Sequence, residues 1–247
     1  MQFTVATYNI HKGFSHLTRR MVIHELKEKL HGLSADLVFL QEVLGAHHRH
    51  AGRYHDWPGK PQHEFIADTM WREVAYGRNA VYRHGHHGNA MLSRYPIVGH
   101  ENEDISAHAF ESRGMLHCEI RLGERAPALH CINVHLGLWA RSRRFQLGWL
   151  RDRIVAAVPP NAPLVVAGDF NDWRGIATAL LERELGMAEV FHRALGRHAR
   201  SFPARLPLLS LDRIYVRGLD VGGARRLAEA SWSRLSDHVA LSATLRR

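Results

Sequence analysis

The chain has 247 residues, 45% of them hydrophobic, enough to bury one large core. Its 33 Lys and Arg against 24 Asp and Glu leave a formal charge of +9, which argues for an anionic partner (nucleic acid, an anionic membrane surface or a phosphorylated small molecule) and says nothing about fold. No run approaches the roughly 18–20 apolar residues of a membrane span, and Met1 leads straight into the strand-like QFTVATYNI without a basic n-region or cleavage site, so a soluble, cytoplasmic chain is expected.

In chain order, TVATYNI (4–10) reads as a strand. LTRRMVIHELKEKL (17–30) carries Leu17, Met21, Ile23, Leu26 and Leu30 close to a helical stripe. ADLVFLQEV (35–43) reads as a buried strand ending in acid, and Gly45 to Pro61 as a long functional or mobile loop rich in His, Gly and Trp. AMLSRYPI (90–97) is a strand stopped by Pro96. Strands 114–122 and 128–136 form a hairpin turning at Gly123–Ala126, with Cys118 and Cys131 roughly opposite, and two buried free thiols are expected there rather than a disulfide. RSRRFQLGWLRDRIVAAV (141–158) is a helix ended by Pro159 and Pro160. PLVVAGDF is a strand, IATALLEREL (176–185) a helix stopped by Gly186, and 211–216 and 238–245 are late strands. No linker or composition break divides the chain, so one layered α/β domain over residues 1–247 is expected.

Polar residues collect at the strand ends. Tyr8-Asn9, Gln41-Glu42, Asn133 with His135, and Asp169 with Asn171 close strands; Asp212 opens one, and Asp237-His238 precedes the last. Each alone reads as a turn residue, a rim charge or a cap. Together they are polar groups projected from rigid sheet ends, where reacting groups are well held. Asn, Glu and Asp are hard oxygen donors suited to Mg²⁺ or Mn²⁺. The chain has no HExxH, no C-x-x-C and no G-x-x-x-x-G-K-S/T, which removes zinc-protease, zinc-finger and P-loop readings.

Asn9, Gln41-Glu42-Val43, Asn133-Val134-His135-Leu136, Gly168-Asp169-Phe170-Asn171, Leu211-Asp212-Arg213-Ile214 and Ser236-Asp237-His238, in this order across residues 8 to 241, resemble the endonuclease/exonuclease/phosphatase superfamily. The resemblance implies a four-layer sandwich, two mixed β-sheets face to face with helices outside. It also implies Mg²⁺- or Mn²⁺-dependent hydrolysis of a phosphate ester at one edge of the paired sheets. It implies Glu42 as the main metal ligand with Asn9 beside it and Asp237 completing or water-bridging the shell. Asp169 resembles the carboxylate that aligns or deprotonates water, and Asn171 would touch phosphoryl oxygens or fix Asp169. His238 would contact a non-bridging oxygen, with Asp212 on its other ring nitrogen. His135 resembles the deoxyribonuclease, sphingomyelinase and inositol-phosphatase branches, as general acid or second phosphate contact.

Arg113 is a candidate phosphate clamp near His135, His11 stands where an acid or amide is common and is a candidate phosphate contact, and Asn89 is a further phosphate-binding candidate. The histidine runs 47–50 and 84–87 read as loop histidines, and Asp172 as the cap of the 176–185 helix. Arg141, Arg143, Arg144, Arg151 and Arg153 read as a solvated helix face interrupted by Asp152. Trp57, Trp71, Trp139 and the loop 201–211 are available for an apolar rim, although a packed connection is the expected reading of that loop. A nuclease-type phosphodiesterase on nucleic acid is the first expectation, working as a monomer. A sphingomyelinase-like lipid-headgroup diesterase on anionic membrane lipid follows, then a small-molecule or inositol phosphatase. The intact set of acids and imidazoles argues against a binding-only protein.

Overall fold

The structure is a computed structural model describing residues 1–124 and 126–247. The turn expected at Gly123–Ala126 thus lies partly outside the described residues. The elements are β1 (Gln2–Asn9), a 3₁₀ turn (His11–Gly13), α1 (Ile23–Leu33), β2 (Leu37–His47), α2 (His48–Arg53), α3 (Gln62–Ala67), β3 (Glu73–Tyr82), β4 (Gly85–Ser93) and β5 (Ile97–Asp104). There follow β6 (Gly114–Ile120), β7 (Leu129–His135), α4 (Ala140–Ala157), β8 (Leu164–Asp169), α5 (Ile176–Leu185), β9 (Ala188–Glu189), α6 (Val190–Leu195), β10 (Asp212–Arg217), β11 (Asp220–Leu227) and β12 (Ala240–Arg246).

Two six-stranded mixed sheets result, ordered β11-β12-β1-β2-β4-β3 and β5-β6-β7-β8-β10-β9. Each contains one parallel pair, β1–β2 and β7–β8, and each pair is joined through a helix, α1 or α4. Antiparallel strands flank both pairs. Apolar side chains such as Val5, Phe39, Leu116, Val165 and Ile214 fill the layer between the sheets. The outer faces are covered by helices: α1 and α3 bury Leu26, Leu30 and Ile66 with Val38 and Leu92, and α4 and α5 bury Leu150, Ile154 and Leu181 with Val166. Cys118 and Cys131 pair directly across β6–β7 as buried free thiols.

Several expected bounds change. The first helix begins at Ile23, not at position 17. The hydroxyl of Ser15 accepts from the Arg20 amide at 3.0 Å and lies 2.5 Å from that of Thr18, and Arg19 has φ 49°, so these residues close a turn instead. Residues 45–61 are not one loop: β2 runs on to His47 and α2 follows. The strand expected at 90–97 starts at Gly85 and stops at Ser93, whose hydroxyl turns the chain by accepting from the Tyr95 amide at 2.9 Å. The histidine runs are therefore not confined to loops, since His47 lies in β2, His48 and His50 in α2, and His86 and His87 in β4.

Arg143 departs from a solvated α4 face. It is buried, donates to the Gly137 and Leu138 carbonyls at 3.2 and 2.5 Å, and lies 4.6 Å from the Trp173 ring. Trp71 is no rim residue either: it is buried, and its Nε1–H donates to the Ala35 carbonyl at 2.9 Å. The 201–211 loop divides. Ser201 is fully buried, whereas Leu206 and Leu208 face solvent.

Candidate active site

Strand register assembles one half of the site. His135 of β7 pairs with Asp169 of β8, and Asp169 with Asp212 of β10, so three ionisable residues stand in one row at a sheet end. His238, just before β12, closes on this row: its Nδ1–H donates to Asp212 Oδ2 at 2.8 Å. The Nε2 atoms of His135 and His238 lie 3.6 and 3.7 Å from Asp169 Oδ2. All four side chains are buried. Gly168 permits the approach of β8 to β7, because with φ 143° a Cβ there would collide with the Val134 carbonyl.

Asn171 is a positioning residue. Its φ is 48°, its amide N–H donates to Asp169 Oδ1 at 2.9 Å, and its Nδ2 donates to the Leu136 carbonyl at 2.9 Å. Of the two roles open to it, the hydrogen bonds correspond to fixing Asp169. Asp172 serves the backbone, with Oδ2 accepting from Ala177 N–H at 2.7 Å in the first turn of α5.

The other half comes from the first sheet. Asn9 pairs with Gln41, and Glu42 follows in a bulge of β2 with φ 55°. Asn9 Nδ2 donates to Asp169 Oδ2 at 3.2 Å, linking the two sheets across the site. Lys12 Nζ donates to Glu42 Oε2 at 2.8 Å. Ser236 Oγ donates to the Asn9 carbonyl at 2.7 Å and accepts from His238 N–H at 3.2 Å, which holds Asp237 and His238 against the end of β1. Asp237 lies with His11 and His16, one ligand atom from each falling within 4.8 Å of the others.

Below this lies a buried amide clip. Asn133 of β7 donates to the Leu40 and Ala90 carbonyls of the opposite sheet, both at 2.9 Å, and accepts from Gln41 Nε2 at 2.8 Å. Asn89, expected at phosphate, belongs here. It is fully buried in β4, and its Nδ2 donates to the Gly114 carbonyl at 2.9 Å, so burial and that bond keep it from a solvent-borne ligand. Arg113 forms no hydrogen bond with His135; its Nη1 donates to the Ser112 carbonyl at 3.3 Å, yet its charge acts on His135.

Electrostatics separate the titrating groups. Burial opposes a charge on His238, but Asp212 and Asp169 outweigh it and push its pKa up to about 10. Burial and the charge of Arg113 bring His135 down to about 4 against the opposing pull of Asp169 and Glu42. Burial, joined by Asp212, raises Asp169 despite His238 and His135. Burial also works against ionisation of Glu42, yet His135, Lys12 and His11 hold its carboxyl well below the usual range. At neutral pH the site thus holds an imidazolium at His238, a neutral imidazole at His135 and a firm carboxylate at Glu42. Among the described residues Glu42 Oε1 accepts no hydrogen bond, so an ionised, half-buried oxygen beside Asn9 suits a hard divalent cation. Asp169, Asp212 and His238 also lie close enough together to hold an ion.

Lys12 and His16 are parts of this arrangement that no residue-type argument singles out, and Ser236 and Asn133 are named in their sequence blocks without a role. The signal for Lys12 and Ser236 lay in their neighbours, IHKG and LSDH.

Residues 6–238 match the Endonuclease/Exonuclease/phosphatase family. The chain belongs to this family. It is 49% identical over 243 residues to the Escherichia coli (strain K12) protein named "Uncharacterized protein YbhP", covering 98% of this chain and 96% of that one. Solved family structures share the fold. The endonuclease/exonuclease/phosphatase from Bacteroides vulgatus superposes with a TM-score of 0.76 at 18% identity, over 100% of this chain and 99% of that one. D. rerio TDP2, solved in complex with a single-strand DNA product, gives 0.73 at 17% identity, over 100% and 99%. Family membership brings the sandwich of two mixed sheets and a phosphoesterase scaffold whose members typically use divalent metals. No helix among the described residues is long and apolar enough to cross a membrane.

Proposed function

We propose that residues 1–247 form one catalytic domain, a Mg²⁺- or Mn²⁺-dependent phosphodiester hydrolase that acts on nucleic acid as a cytoplasmic monomer. The observation that carries this reading is the buried row His135–Asp169–Asp212 with His238 closing on it. A phosphodiester resists attack because its negative charge repels the nucleophile and its leaving oxygen needs stabilisation. Glu42, Asn9 and Asp237 would hold the cation, which would supply neutralisation of the phosphate charge.

The chain's own groups do the rest. Asp169, fixed by Asn171 and Asn9, aligns water and accepts its proton, a task that its raised pKa favours. His238 presents Nε2–H to a non-bridging oxygen as an imidazolium, oriented by Asp212. His135, neutral at working pH, serves as the second phosphate contact rather than as general acid. Arg113 lines a cleft of about 300 Å³ with His87, and this cleft would receive the substrate beyond the scissile bond.

Nucleic acid is favoured by the +9 charge and by the likeness to a protein solved with single-strand DNA. A lipid-headgroup diesterase is the second reading, because Phe110 and Trp139, 98% and 72% exposed, border the Arg113 cleft. The test is an assay with Mg²⁺ or Mn²⁺ on plasmid DNA, abasic duplex, RNA, phospholipids and inositol phosphates. Asp169→Asn is expected to lower kcat by about 10²–10⁴ on the true substrate. Activity that survives both EDTA and this substitution overturns the mechanism. Robust phospholipid cleavage without nicking establishes the second reading.

A further inference from the structure

We propose that His11, His16 and Asp237 form a transition-metal site of the two-histidine, one-carboxylate kind beside the Glu42 carboxylate. One ligand atom from each lies within 4.8 Å of the others. The histidine rings are 5.6 Å apart, and His16 Nδ1 is 3.6 Å from Asp237 Oδ2. His11 Nδ1 meets the Phe14 carbonyl at 3.0 Å. A carbonyl only accepts, so the ring proton is on Nδ1 and Nε2 keeps its lone pair. This backbone hydrogen bond is how a metal-binding imidazole is usually oriented.

The backbone is arranged to hold the three. His11 and Lys12 take left-handed φ values of 46° and 58°, and the His11 amide donates to Asn9 Oδ1 at 3.1 Å. The Asp237 carbonyl accepts from Ala204 N–H at 2.7 Å, and Ser236, just before it, is anchored to β1 by its hydroxyl donating to the Asn9 carbonyl. A route from solvent exists, since His16 and Asp237 border a cavity of about 460 Å³. That cavity also presents Arg205 and Arg234, neither paired with a carboxylate among the described residues, so an anion would enter toward the ion.

The consequence is a choice of ion. Imidazole donors favour Mn²⁺, Fe²⁺, Co²⁺ or Zn²⁺ over Mg²⁺. Asp237 then belongs to a mixed nitrogen–oxygen shell, and His11 links it to the Glu42 side of the site, since its amide donates to Asn9 Oδ1 and its charge acts on the Glu42 carboxyl. The inference stands on these three side chains and holds whatever ester the protein cleaves.

The test uses the full chain, stripped with a chelator and titrated with Co²⁺ while visible absorption is followed, with Zn²⁺ binding measured by calorimetry. One Co²⁺ per chain is expected in a nitrogen-ligated environment, displaced by Zn²⁺ and not by excess Mg²⁺. His16→Ala, at an exposed position where folding is not at stake, and His11→Ala should each weaken binding by at least about tenfold. Replacing His47, His50, His84 and His86 together should leave the spectrum in place. A Co²⁺ signal that persists in His16→Ala, that vanishes only when those four histidines are removed, or that never forms overturns the proposal.

Discussion

Asp212 Oδ2 lies 2.8 Å from His238 Nδ1 with both side chains buried, so a carboxylate and an imidazolium share a proton-ordering contact at the base of the site. Removing the carboxylate charge while keeping its shape isolates that contact. In Asp212→Asn the His238 pKa should fall below about 10, since burial then faces only the opposition of Asp169 and Asp237. An NMR titration of the His238 ring checks it. If the imidazolium stabilises developing charge, kcat should drop by about 10²–10³ at neutral pH.

The pH dependence follows from the same group. The pKa of His238 is raised in the fold from 6.5 to about 10, so its contribution to stability is complete below 6.5 and is lost as pH rises through about 10. Urea denaturation should therefore show a falling midpoint over that interval. The rate constant kcat/KM should decline on its alkaline limb near the same upper value, and Asp212→Asn should move that decline to lower pH.

Lys12 sits on the carboxylate that the hydrolytic reading gives to the metal, 2.8 Å from Glu42 Oε2. Metal entry at Glu42 must then displace or accommodate an ammonium. Lys12→Met should tighten Mg²⁺ or Mn²⁺ binding measured by calorimetry. Because Lys12 is 40% exposed, solvent screening keeps the gain to about two- to tenfold. Weaker binding in this variant would show that Lys12 supports the cation site instead.

Asn133→Ala should destabilise the fold by about 2–4 kcal/mol in urea titration. The substitution removes the Asn133 hydrogen bonds to the Leu40 and Ala90 carbonyls of the opposite sheet, and leaves Gln41 Nε2 with only its Thr7 and Phe39 acceptors. Asn9 and Glu42 come from one sheet and Asp169 from the other, so activity should fall at lower urea than the global transition.

Much of this centre was legible in the residues. GDFN, SDH and NVHL carry their chemistry at strand ends because a buried apolar run before them fixes where the strand stops. Glu42 was visible as an acid closing a strand, but its bulge and φ of 55° were not, since only tertiary pairing with β4 creates them. Strands β5 and β11 were missed for a related reason. They lie near or at sheet edges with largely exposed, polar sequences such as VGHENED and DVGGARR, which carry no clean alternation. His16 was invisible as a partner of His11 because 17–30 read as helix, whereas the Ser15–Arg20 turn brings its ring back. The alternative reading of Asn89 as a turn residue fails because β4 begins at Gly85, earlier than the apolar stretch suggests.

The row His135–Asp169–Asp212 is fixed by main-chain pairing, whereas the groups that would meet the rest of a substrate stand on connections: Leu17 and Arg20 after the first turn, Phe110 and Arg113 before β6, Arg205 within 201–211. Proton-handling geometry and partner choice are therefore encoded in separable parts of the chain. Exchanging those connections in this chain should therefore alter which ester fits while the spacing of the buried row is kept.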